Sequence, residues 1–462
     1  MARPPASETL PAGVGGTSGP APPGVPVPRR RPSRHGHLGA RPAAAALFLL
    51  PALLILGALV IYPIIATVVA SFQGPTGGRF VGLDNYKELF TNRRTLTAIR
   101  NNVVWVAVVP ATVTALGLVF AVLSERITFQ RAFKAVIFMP MAISLLAGGV
   151  IWRVVYEQSP DRGVLNAGID AARSVFRPPG HYAGATPSAG MRVEGKGMAL
   201  EAPVTAGRVY QLGLVGLPPE QVPEDAEQAE LPVTRPGRAE VAGVVFRDFR
   251  PGGGGQRGVV DQGELGLPGA KVELRGPDGS VEKSAVTDED GSFRIEDVAD
   301  GTFTLGLAPS NFRPPFEGIQ WLGPTLITPA IIVAYIWVWA GFAMMVLAAG
   351  LAALPREVLE AARVDGAGEW QTFRRITVPL LAPEMGVVFI TMVIYVLKVF
   401  DIVLVIAPEA VQDNANVIAL EMWQTAFGAR DQGLGSAVAV FLFLLVLPVM
   451  VFNVKRFRAE RG

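Results

Sequence analysis

Long apolar runs, parted by short charged stretches, fill both ends of this chain and are missing from one block between them. A bilayer core takes roughly 20 consecutive apolar residues per spanning helix. Runs of that order cover Ala43–Phe72, Asn102–Ser124, Phe133–Tyr156, Leu326–Leu351, Met385–Ala407 and Leu434–Val454. Hydrocarbon offers no partner to a bare backbone N–H or C=O, so each run must be helical. The pattern predicts an all-α polytopic membrane protein with six transmembrane helices, interrupted after the third by a block of another kind.

Inside that block, residues 157–318, the apolar period shortens. Val241-Ala-Gly-Val-Val-Phe246, Ala270-Lys-Val-Glu-Leu274, Ser292-Phe-Arg-Ile295 and Thr302-Phe-Thr-Leu305 run or alternate over strand lengths between Gly, Pro and Asp turns. This predicts an inserted β-sandwich domain, with its module at 241–308. Residues 158–240 mix turn-rich pieces such as Pro178-Pro179-Gly180 and Pro218-Pro219 with short strand-like runs, and predict no particular fold.

Lys and Arg in short flanks stay cytoplasmic. Arg29, Arg30, Arg31, Arg34 and Arg41 precede the first run, and Arg126, Arg131 and Lys134 lie between the second and third. Arg356, Arg363, Arg374 and Arg375 follow the fourth, and Lys455, Arg456, Arg458 and Arg461 close the chain. With six spans all four groups share one side, so both termini are expected in the cytoplasm and the insert outside it. One flank disagrees: Arg79, Lys87, Arg93, Arg94 and Arg100 fall on the outer side, partly offset by Asp84 and Glu88. The expected organisation is a disordered cytoplasmic tail over 1–42, spans over 43–156, an extracytoplasmic insert over 157–318, spans over 319–455 with a cytoplasmic loop at 354–383, and a short tail over 456–462. The first apolar run starts too late and runs too long for a cleaved signal, so it reads as an uncleaved anchor.

Composition agrees with a membrane class: 50% of the 462 residues are hydrophobic and only 17% charged. The net charge of +2 hides an asymmetry, because residues 157–317 carry 16 basic against 24 acidic side chains, as suits a solvated domain. The absence of cysteine excludes disulfides, thiolate metal sites and cysteine nucleophiles. Two of the three histidines, His35 and His37, lie in the tail, so no histidine metal centre is expected. In the insert, Asp288-Glu-Asp290-Gly291 starts a calcium-loop spacing, with Asp261 and Glu264 as further candidates, but lacks the later acidic ligand and reads as a solvated hairpin turn. No catalytic residue, metal or cofactor is expected, and nucleic acid is not an expected partner. The chain has no Gly-x-x-x-x-Gly-Lys-Ser/Thr run, so it does not hydrolyse ATP itself.

The loop after the fourth run carries the strongest local signal. Pro355 suits a first helical position, Val358, Leu359, Ala361, Ala362 and Val364 supply an apolar face, and Asp365-Gly366 breaks the helix. A second helix is expected from Glu369 to Ile376, stopping before Pro379. Lys398 and Asp401, three residues apart in the fifth run, are expected on one helix face, either lining a translocation path or pairing at a contact with a partner subunit.

Glu360-Ala361-Ala362, three residues, Gly366 and then a hydrophobic stretch through Phe373 to Pro379 resemble the coupling loop of bacterial binding-protein-dependent importer permeases. The resemblance implies that Glu360, Ala361, Ala362, Asp365, Gly366, Phe373 and Pro379 dock into an ATPase subunit. Phe80-Val-Gly-Leu-Asp-Asn-Tyr86, Phe138-Met-Pro140, Gly163-Val-Leu-Asn166, Lys398-Val-Phe-Asp401 and Gly435-Ser-Ala437 are similar to the sugar-permease branch related to the maltose and glycerol-phosphate systems. That likeness implies an ATPase dimer, a second permease subunit, an extracytoplasmic substrate-binding lipoprotein, membrane lipid and a sugar cargo as partners. Two features depart from the branch: Ala407-Pro408-Glu409 lacks the usual Gly-Gly-Pro, and residues 167–316 form a large insert. Within the insert, Val260–Leu274, Thr287–Phe293 and Ala299–Phe303 resemble B-type prealbumin-like repeats of surface adhesins, which act as spacers. The rival expectations are the same importer carrying glycerol phosphate or another polar solute, and a membrane-anchored scaffold or adhesion protein.

Overall fold

The computed structural model describes residues 42–459 except 233–234 and 251. The expected N-terminal tail therefore lies outside the described residues, apart from Pro42, which opens the first helix. That helix runs as α1 (Pro42–Leu56), a π turn over Gly57–Ile61 and α2 (Tyr62–Ala70). The stretch up to Ile65 is one compact unit and the chain from Ala66 is another.

In the second unit, α3 (Asp84–Leu89) leads into the long α4 (Arg93–Arg126), whose N-terminus is capped by the Asn92 side chain accepting from Arg94 N–H. The third apolar run is a broken helix. α5 (Gln130–Ala142) and α6 (Leu145–Val155) meet at 101°, Ile143 is extended, and Ser144 restarts the helix by accepting from Ala147 N–H. A short α7 (Val164–Phe176) follows. Beyond the insert come α8 (Ile327–Ala352), α9 (Arg356–Val364), α10 (Glu369–Thr372), a π turn over Phe373–Thr377, α11 (Val378–Leu380) and α12 (Ala382–Leu397). The chain ends with α13 (Asp401–Ile406), α14 (Gln412–Ala415), α15 (Ile418–Trp423), a π turn over Gln424–Gly428 and α16 (Gln432–Ala459), which continues into the expected C-terminal tail.

Among the described residues four helices are long and apolar enough to cross a membrane, and six if each sharply bent helix pair is one span. The protein is thus a helical membrane protein with four to six candidate spans. The expected fifth run, Met385–Ala407, is not one helix, because α12 stops at Leu397 and α13 starts at Asp401. Lipid supplies no hydrophobic drive between helices, so contact rests on close packing at small residues. A Cβ on Gly117 would sit 2.4 Å from Ala343 Cβ, and one on Gly341 only 2.3 Å from the Ile137 carbonyl oxygen. Those two glycines bring α4 and α5 onto α8, around a core that includes Trp105, Val113, Tyr335, Met344, Leu347 and Val396.

Among the described residues the insert is a β-sheet region of nine strands: β1 (Thr186–Pro187), β2 (Met191–Glu194), β3 (Gly197–Leu200), β4 (Arg208–Val215), β5 (Val241–Arg247), β6 (Lys271–Arg275), β7 (Val281–Val286), β8 (Ser292–Ile295) and β9 (Thr304–Leu307). They form one sheet ordered β1-β4-β5-β8 and another ordered β2-β3-β9-β6-β7. Leu212, Leu214, Val245, Leu274, Phe293 and Leu305 from both sheets share one buried cluster. The sheets are not confined to 241–308, since β4 pairs in parallel with β5 from Arg208↔Val241 to Leu214↔Arg247. The Asp288–Ser292 segment is a hairpin turn: Asp288 N–H donates to Ser292 O, Ser292 N–H donates to Asp290 Oδ1, and Gly291 has φ +76°. No group of three or more metal-ready side chains occurs among the described residues.

Candidate functional site

The loop after α8 folds into a projecting helical arm. α9 ends in a Schellman turn, with Ala367 N–H donating to Ala362 O and Gly366 N–H donating to Arg363 O. Such a turn needs a left-handed residue, and Gly366 supplies it at φ +78°. Glu360, Ala361, Asp365 and Gly366 are exposed, whereas Ala362 is buried. Val364 is 88% and Trp370 71% exposed, so the tip of the arm carries bare apolar surface. Half-buried Phe373 stacks on Trp370 with ring centroids 5.6 Å apart and anchors the arm on the membrane core. A groove of about 960 Å³ opens between the end of α4 (Val122, Leu123, Glu125) and Leu359, Trp370 and Phe373.

The second helix of the arm does not stop before Pro379. It runs on to Leu380, because the π turn at Phe373–Thr377, closed by Val378 N–H to Phe373 O, places Pro379 at the start of α11. A proline there forfeits no helical hydrogen bond. Pro379 itself is exposed.

Lys398 and Asp401 do not share a helix face. Lys398 caps α12, Phe400 leaves helical geometry at φ −144°, ψ −65°, and Asp401 begins α13. The break buries Val399 in the core and leaves both charged side chains exposed, and no ion pair joins them among the described residues. Lys398 Nζ lies 5.8 Å from the Tyr395 ring centre, and Tyr395 packs at 4.7 Å on Trp339, whose ring is 6.0 Å from Tyr335. The result is an aromatic wall ending in a cation, with the Trp339 indole N–H buried.

Two polar hubs escaped the sequence reading. At the N-terminus of α4, Arg94 Nε sits 3.1 Å from Asp413 and 3.2 Å from Glu421, whose side chain is 3% exposed. Thr95 and Thr425 also reach Glu421, Asn101 donates to the carbonyls of Asn414 and Asn416, and Asn102 accepts from Ile418 N–H. These bonds hold the 408–428 segment against α4. The discordant positive flank was the available signal: an arginine expected on the wrong side calls for acidic partners, and Asp413 and Glu421 are those partners.

The other hub is fully buried Asn166. Its Nδ2 donates to the carbonyls of Glu157, Gln158 and Ile319, and its Oδ1 accepts from Ile319 N–H and Trp321 Nε1. One side chain therefore ties both ends of the insert to the membrane-spanning part.

Residues 299–456, which include the arm and α12, match the family described as the binding-protein-dependent transport system inner membrane component. The chain is 29% identical over 415 residues to the osmoprotective compounds uptake permease protein GgtC of Synechocystis sp., covering 90% of this chain and 99% of that one. It is 27% identical to the alpha-glucoside transport system permease protein AglF of Rhizobium meliloti, covering 90% and 83%. A bacterial ABC transporter involved in import of the acidic polysaccharide alginate superposes with a TM-score of 0.53 at 15% identity, covering 91% of this chain and 96% of that one, a likeness of fold. Residues 299–456 thus match this permease family, and the chain is similar to these permeases over about 90% of its length. It is a membrane-embedded transport component rather than an enzyme.

Proposed function

We propose that the protein is the permease subunit that moves a sugar, of oligosaccharide or α-glucoside type, through an ATP-driven importer. The observation that carries this reading is the arm. A helix closed by a left-handed glycine presents exposed Glu360, Ala361, Asp365 and Gly366 beside bare Val364 and Trp370, which suits docking into a cleft of an ATPase subunit. The cargo class follows the permeases GgtC and AglF, and the exposed cation and aromatic wall at Lys398, Tyr395 and Trp339 suit a polar solute with apolar faces. In this reading Lys398 and Asp401 border the path separately, one on each side of the helix break.

The arm then lies in the cytoplasm with both termini, the chain crosses the membrane six times, and the two sheets form an extracytoplasmic sandwich. An ATPase dimer, a second permease and a substrate-binding lipoprotein complete the assembly, the last docking on the insert side. The loaded binding protein and ATP favour the outward-open state, and hydrolysis resets it.

The test is binding-protein-stimulated ATPase activity of the co-expressed complex in lipid, native against Gly366→Asp. A Cβ at Gly366 meets nothing within 4 Å, so the substitution burdens only the left-handed backbone. Loss of stimulation in an assembled complex is expected. Undiminished stimulation would remove the arm from the coupling pathway.

A further inference from the structure

The helix α7, just past the third apolar run, presents an apolar face that no other described part of the chain covers. Val164, Val175 and Phe176 are 66%, 76% and 86% exposed. At about 100° per residue, Val164, Ala171 and Val175 fall within about a 40° sector, flanked by Ala167 and Ala172. The opposite side is occupied. The chain returning from the insert runs back along it, with Arg173 over the Phe316 ring at 4.7 Å and Asn166 bonded to Ile319 and Trp321.

The position of α7 identifies what covers the bare face. Asn166, in its first turn, donates to the carbonyls of Glu157 and Gln158, two and three residues past the end of α6. α6 and α7 are in contact, and α6 itself exposes Leu146, Val150, Ile151 and Val154, as a lipid-facing helix does. Around this junction stand Trp152, Tyr156, Trp321 and Trp337, with ring centres 5.0 to 6.1 Å apart. Trp and Tyr gather where hydrocarbon gives way to headgroups. A helix tethered at such a belt by its first turn, polar on one side and apolar on the other, has the design of an interfacial helix.

We propose that α7 lies in the membrane surface at which the third span ends, with Val164, Ala171 and Val175 in the headgroup–acyl boundary. The inference rests on α5–α6 being membrane-inserted and is independent of which cargo is carried. Held there, α7 fixes the height of the insert above the bilayer, because Asn166 joins it to both ends of the insert.

The chain lacks cysteine, so a single-cysteine variant, labelled before assembly with its partners, carries the label at one position. Val164→Cys, Ala171→Cys, Val175→Cys and, on another side of the helix, Asp170→Cys are to carry a nitroxide. Each is read in the assembled transporter in vesicles of phosphatidylethanolamine and phosphatidylglycerol. Collisions with oxygen, which partitions into lipid, are compared with collisions with a water-soluble nickel chelate. The oxygen-to-nickel ratio is expected to be at least about threefold higher at 164, 171 and 175 than at 170. High nickel accessibility at those three positions overturns the proposal by placing the face in water. Low accessibility to both reagents overturns it too, by placing the face against a second permease or a binding protein.

Discussion

Replacing Arg94 by alanine tests whether the hub at the start of α4 is held by one charge. Two carboxylates share the Arg94 guanidinium, but they differ in exposure. Asp413 is 72% exposed, and such a pair is worth about 0–1 kcal/mol. Glu421 is 3% exposed, and stripping the partner from a buried charge costs about 3–5 kcal/mol. Arg94 is itself 42% exposed, and Glu421 keeps Thr95 and Thr425 at 3.4 Å and Asn416, so about 2–3 kcal/mol is the discounted expectation. The assay is thermal unfolding of the purified complex, followed by loss of the monodisperse peak on size exclusion. Arg94→Ala should lower the midpoint by several degrees, and Asp413→Ala should leave it nearly unchanged. Adding Glu421→Gln should recover about half or more of the loss, because the buried charge is gone. An Asp413→Ala effect as large as that of Arg94→Ala, or no recovery in the double variant, would refute the reasoning.

Three further outcomes follow from the same kind of accounting. Asn166→Ala removes five hydrogen bonds, strands buried backbone groups and should cost about 3–5 kcal/mol locally, visible as faster amide exchange over 157–163 and 319–323. Burial holds the Glu264 carboxyl above its ordinary value, against the opposing hydrogen bond from Asp261 N–H, so stability of the sheet region should fall as pH rises from about 4.3 through that raised value. Glu264→Gln should flatten this dependence in pulse proteolysis of the full chain. Trp370→Ala leaves the fold intact, since the ring is mostly exposed, but should weaken capture of the ATPase subunit about tenfold or more in titrations of the reconstituted complex.

What the sequence made legible was local. Ala361, Ala362 and Gly366 announced a helix and its stop, and hydropathy found the apolar runs. Hydropathy is blind to breaks, however: residues 398–400 stay apolar enough for one span, while the backbone leaves the helix to bury Val399. The partner of β5 was equally hidden, because β4 reaches it in parallel across a long connection and carries the mixed pattern Arg-Val-Tyr-Gln-Leu-Gly-Leu-Val. Glu421 gave no periodic signal either. Its meaning lies in Arg94, more than three hundred residues away, and only the misfit of that arginine with the charge rule hinted at a counter-ion.

The two helix breaks belong to one mechanical unit. The halves beyond each break, α6 and α13, pack on one another so closely that a Cβ on Gly149 would lie 2.9 Å from Val405 Cγ1. Interiors this tight do not deform smoothly, so α6 and α13 must shift together. Ile143 and Phe400, the two places where the backbone already leaves the helix, are where dihedral changes for such a shift would fall. α6 is bonded at its C-terminal end to α8, through the Tyr156 hydroxyl and the Ala330 carbonyl, and α7 leads from α6 to the Asn166 hub and the insert. α12, on the near side of the second break, leads back to the arm at Phe373 and Gly366. On the proposed reading of the arm and the insert, a load on either reaches the same pair of breaks, the connection that alternating access between a binding protein and an ATPase requires.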